Sequence, residues 1–214
     1  MLDTPLVASS CNKIIKKALY KKVKFPVGLN NEDVAVTPYI LTIAKNIVHI
    51  PKAHYKYFQR NGSIQNSEFD KRRFSIIETA DLCFNYAKNL EKSKLEMLKG
   101  TIYIHQILAI LFYLIKDVKG QNRKEIIKDY VILLNSKFND IYTNKYVKDY
   151  INNFSKLKRI YVNTVICAMK QNNTNKINNC LRCLKIAKLF KIIKNKFITI
   201  LKKIIFKILP LNKY

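Results

Sequence analysis

Apolar positions along the chain follow two different rhythms. From Ser67 onward they recur at every third or fourth residue, the period of one helix face, which predicts helices over 67–95, 96–117, 122–138, 144–171 and 179–209. Breaks are expected at Gly100, at Gly120 and in the Asn-rich run 171–179. Before Ser67 the pattern is shorter and mixed. Residues 12–24, NKIIKKALYKKVK, set Ile14, Ile15, Ala18 and Leu19 against lysines and predict a short amphipathic helix that stops at Phe25-Pro26. Pro26, Gly28, Asn30 and Asn31 then predict a loop that carries Glu32 and Asp33 toward the next helix, with Thr37 as its cap and Pro38 in its first turn. The β-branched and aromatic runs IVHI (47–50) and AHYKYFQ (53–59) flank Pro51 and predict two short strands or one broken strand, closed by a turn at 61–63.

The expected fold is therefore mainly α with a small αβ portion at the N-terminus, divided into residues 1–65, 66–175 and 176–214. Composition agrees. Apolar residues make up 49% of 214, too many for a disordered chain, while 4 Gly and 5 Pro are too few for the turns of an all-β fold. The most apolar run, IYIHQILAILFYLI at 102–115, falls short of the ~20 residues that span a bilayer and reads as a buried core helix.

Charge changes the picture more. Against 40 Lys and Arg stand 14 Asp and Glu, a net charge of +26, and no acid follows Asp149. Such a surface attracts polyanions or anionic lipid. Residues 196–209, KFITILKKIIFKIL, put lysines on one side and Ile and Leu on the other, as an interfacial helix on an anionic membrane requires. Nucleic acid fits less well, because Arg is sparse and no binding motif is present. Five Cys, irregularly spaced, and the lack of a leader at Met1 point to a reducing, cytoplasmic setting. Cys180 and Cys183 form a lone CxxC without a second pair, and His49, His54 and His105 show no metal spacing, so no metal site is expected in this chain.

Several residues of the first segment converge on one pattern: Asn12-Lys13 after Cys11, Phe25-Pro26 with Gly28, Glu32-Asp33, Tyr55 and Tyr57 as Tyr-x-Tyr, Arg60, and Gly62-Ser63-Ile64. In order and spacing this resembles the second half of the catalytic domain of bacterial family-2 glycosyltransferases of the GT-A type. The resemblance covers about residues 8–65. It implies that Asp33 is the general base of an inverting sugar transfer, with Glu32 beside it. A sugar hydroxyl is a poor nucleophile and needs a carboxylate to take its proton as it attacks. The residues alone favour an ordinary acidic helix start, since unpaired N–H groups attract acids there, and it is the flanking matches that turn the reading toward a base. The resemblance further places Asn12, Lys13, Tyr55, Tyr57 and Arg60 on the substrate side; Arg60 could grip a diphosphate through its guanidinium fork, or be a plain surface residue.

Members of that family carry a nucleotide-binding half upstream, with an Asp-x-Asp that holds a divalent metal, Mg or Mn. Only ten residues precede Cys11 here, and Asp3 has no second Asp two positions on. The expectation is a glycosyltransferase portion that holds the acceptor side without the means to bind a nucleotide sugar, inactive or nearly so alone, without a cofactor of its own. The implied parent acts on a polysaccharide or lipid-linked acceptor, peripherally on the inner face of the cell membrane. A non-catalytic helical protein that binds anionic surfaces is the alternative.

Overall fold

The computed structural model describes residues 8–50, 52, 54–56, 58, 69–111, 118 and 122–183. The described chain is mainly helical: α1 (Glu32–Ile43), α2 (Ser75–Ala87), α3 (Lys92–Ile102), α4 (Asn122–Lys137), α5 (Lys145–Asn152) and α6 (Lys156–Lys170). A further helix, α7, covers 174–183. Buried apolar residues from Ala8 to Leu181 form one contiguous cluster. Its centre lies where α1 and α3 pack on α2, around Ile40, Ile77, Leu98 and Tyr103, all essentially inaccessible to water.

Where helices end differs from expectation in ways the packing explains. Gly100 does not break a helix; it lies inside α3. A Cβ there would come within 2.5 Å of the Tyr146 Cβ and 2.7 Å of the Asn144 Oδ1, so glycine permits the close crossing of α3 and α5. The expected helix 67–95 instead begins with the tight turn Lys71–Phe74, capped by Asp70, and yields after Ala87 to α3. The expected helix 144–171 is split at 153–155 into α5 and α6. Beyond Ile102, α3 widens into a π turn at Tyr103–Ile107, where the buried Tyr130 hydroxyl donates to the Ile107 carbonyl at 2.7 Å. The described part of the apolar run 102–115 is buried at Ile102, Tyr103, Ile107, Leu108, Ile110 and Leu111. No described helix is long and apolar enough to cross a membrane.

The first segment departs furthest. Only Lys17–Lys22, a 3-10 helix, is helical within 12–24. Helix α1 starts at Glu32 after Asn31, six residues earlier than a Thr37 cap would have started it. Thr37 is buried instead, and its hydroxyl has no partner among the described residues. Among the described residues there is no strand, and the αβ portion expected here is not seen. Ile47–Ile50 is exposed, and a lone extended segment has no ladder to stabilise it. Part of the second expected strand, 53–59, lies outside the described residues, as do the turn at 61–63 and residues 184–209 of the expected C-terminal helix.

Candidate functional site

Two stretches about twenty residues apart in sequence meet at the start of α1. Asn31 precedes the helix in the left-handed region (φ 62°), which a short polar side chain tolerates, and its side chain caps nothing. The first turn then presents Glu32 to solvent and turns Asp33 half inward. Against it folds the turn Ser9–Lys13, in which Asn12 is also left-handed (φ 58°). The Cys11 N–H donates to Ser9 Oγ at 3.2 Å, and Lys13 Nζ donates to the Ser9 carbonyl at 2.7 Å and to Asn12 Oδ1 at 3.0 Å. Lys13 thus closes the turn upon itself, and the Asp33 carboxylate accepts from the backbone N–H of Ser10, which joins turn to helix.

The electrostatics follow from that geometry. Burial raises the proton affinity of Asp33 above that of an ordinary aspartate, and the charge of Glu32 raises it further; backbone N–H groups of Ser10, Val34 and Asp33 itself offset part of the shift. Lys13 moves the opposite way: burial lowers it, while the charges of Asp33 and Cys11 partly restore it. The result is a carboxylate that holds a proton more readily than usual beside a partly desolvated ammonium. Such a pair can accept a proton from a bound hydroxyl and attract an anionic group.

Asn12, Lys13, Glu32 and Asp33 are therefore together. Tyr55 is described but stands on no strand and is half exposed, at 50%. Tyr57 and Arg60 lie outside the described residues. The backbone of Ser9 and Ser10 is a part of the site that pattern reading missed; only the small run Ser9-Ser10-Cys11, able to bend tightly, could have hinted at it. Among the described residues no group of three His, Cys, Asp or Glu could hold a metal ion. His105 packs its ring edge to face on Tyr150 at 5.7 Å. Cys180 and Cys183 line an open apolar groove of about 580 Å³ with Leu157, Ile160, Tyr161 and Thr164, and neither is in a disulfide.

A second charged cluster, in the helical body, has a different character. Asp140 accepts from the Tyr103 hydroxyl at 2.6 Å and from Lys99 Nζ at 2.7 Å. Burial pushes its carboxyl up, but the Lys99 and Tyr103 bonds and the Lys99 charge outweigh this and hold it below the usual range. Every partner there is satisfied internally, so the cluster reads as a pin between α3 and Asn139–Tyr142. Compared with protein-family models, with curated proteins and with solved structures, the chain matches none.

Proposed function

We propose that this chain is the acceptor-side portion of a glycosyltransferase that transfers a sugar from a nucleotide-sugar donor to a polysaccharide or lipid-linked acceptor, with Asp33 as general base. The observation that carries the reading is the meeting of Asn12-Lys13 with Asp33, whose half-buried carboxyl has raised proton affinity. Such a base takes the hydroxyl proton of the acceptor as its oxygen bonds to the anomeric carbon and the nucleoside diphosphate leaves. Glu32 keeps the neighbouring field negative, which strengthens the base. Lys13 and the Asn12 amide steady the loop on the acceptor side, and Tyr55, Tyr57 and Arg60 complete that side by resemblance. Among the described residues there is no group of three His, Cys, Asp or Glu for the divalent metal of the resembled family. The setting that fits is the cytoplasmic face of a membrane, with residues 176–214 as the basic anchor.

The test is transfer by the chain expressed together with the sequence encoded immediately upstream, assayed on a panel of nucleotide sugars with lipid-linked saccharides. Asp33→Asn should lower transfer by ~10²–10⁴ while donor affinity stays constant. Unchanged transfer by Asp33→Asn overturns the role of the base. A second reading, a non-catalytic protein on anionic surfaces, is favoured by the net charge of +26; it predicts no transfer by any combination.

A further inference from the structure

The residues between Ser9 and Asn31 include six lysines and no acid. Within them, the structure turns a specific set of side chains outward. Ile14 and Val27 are fully exposed, at 103% and 99%, and Phe25 is exposed at 38%. Lys16, Lys17, Lys21, Lys22 and Lys24 are exposed as well. None of the five has a carboxylate partner among the described residues. The segment is nevertheless firmly held. Val23 is buried, and Ile15, Leu19 and Tyr20 pack on the core. The Tyr86 hydroxyl of α2 donates to the Lys24 carbonyl at 3.1 Å and accepts from the Lys24 N–H at 3.3 Å. The exposed set is therefore carried on a segment that is fixed to the fold.

We infer that the surface from Ile14 to Val27 is a contact site for anionic lipid bilayers. Exposed aliphatic side chains set among these lysines match the two layers of a membrane surface: the lysines meet the headgroup phosphates, and Ile14, Val27 and Phe25 enter the acyl boundary. A purely ionic partner such as nucleic acid would satisfy the lysines but leave Ile14 and Val27 in water. The placement also has a consequence for the candidate site. Ile14 directly follows Lys13, and Val27 leads through the Gly28 turn (φ 80°) to Asn31 and α1, so the contact adjoins both stretches of the candidate site in sequence. This consequence rests on the proposed base, whereas the lipid contact does not. It also uses residues outside 176–214.

The chain has no Trp, so a single introduced Trp reports its own surroundings. Ile14→Trp and Val27→Trp, made separately, should show a blue shift with vesicles of phosphatidylcholine and phosphatidylglycerol and be quenched by brominated acyl chains. Ile132→Trp, at an exposed position on α4, should show neither. Lys16→Ala and Lys17→Ala should each weaken binding roughly fivefold, and added salt should weaken it further. Ile14→Ser with Val27→Ser should weaken it roughly tenfold or more. The inference is overturned by an absence of vesicle binding. Sedimentation with vesicles while the emission of both Ile14→Trp and Val27→Trp stays unshifted, as anchoring by residues 176–214 alone would give, overturns it too. So does an equal response to pure phosphatidylcholine, or a shift at Ile132→Trp equal to the others. All these readouts are independent of sugar transfer, so the lipid contact and the proposed enzyme can fail separately.

Discussion

Two half-buried aspartates among several, Asp33 and Asp140, stand for the two regions that hold them. In the helical body Asp140 is held by Lys99 and Tyr103, and its carboxyl lies below the usual range. In the first segment, Asp33 is flanked by another acid and its carboxyl lies above that range. Apolar side chains divide the same way. Among the described residues, eight large exposed hydrophobics fall before residue 60 and five after it. The body pairs the Asp81, Asp129 and Asp140 carboxylates with lysines and buries most of its large apolar side chains, as a region selected for stability does. The first segment leaves five lysines without a carboxylate partner among the described residues and more of its large apolar side chains in water, as a region that meets something else does.

The difference can be broken most severely at Gly100. Gly100→Val should cost ~3 kcal/mol or more in urea unfolding, because its Cβ collides with Tyr146 and Asn144 and α3 and α5 must separate. Tyr130→Phe should cost about 1–3 kcal/mol by leaving the buried Ile107 carbonyl without its donor. Asp140→Asn should cost about 1 kcal/mol at neutral pH, since the carboxylate is partly exposed and its pairing is screened. Its pH dependence has a definite sign. A carboxyl with lowered folded pKa stabilises above the unfolded value of ~3.9 and loses that contribution as pH falls through the folded one. Asp140→Asn should therefore flatten the acid limb of the stability curve. In the first segment the signs and sizes change: Ile14→Ser and Val27→Ser should leave unfolding within about 0.5 kcal/mol of the parent.

The body was legible in outline because its helices bury a repeating face; α4 at Asn122–Lys137 falls almost where the period places it. Its joints were not legible. That Gly100 is a contact and that residues 153–155 separate two helices depend on neighbours distant in sequence, Asn144 and Tyr146 among them. The first segment misled through local propensity. Ile47–Ile50 has strand-like residues but no described strand to pair with, and Thr37 has the chemistry of a cap but sits inside α1, which Asn31 had already started. Of the residues the resemblance named, Asn12, Lys13, Glu32 and Asp33 lie near one another, Tyr55 stands on no strand, and Tyr57 and Arg60 lie outside the described residues; the Ser10 N–H that ties turn to helix could not be read, because a backbone donor leaves no trace in residue type.

On the proposed reading, Asp33 is placed to hold a proton rather than to stabilise the fold. For a carboxyl with raised folded pKa, stability falls as pH rises from the unfolded value through the folded one, so Asp33→Asn should stabilise the chain slightly at neutral pH. The direct measurement is a carboxyl ¹³C titration of the aspartates by NMR. Asp33 is expected to titrate above the usual aspartate range and Asp140 below it, and Glu32→Gln should bring Asp33 down by removing the neighbouring charge. A midpoint for Asp33 at or below that of Asp140, unmoved by Glu32→Gln, would contradict that placement.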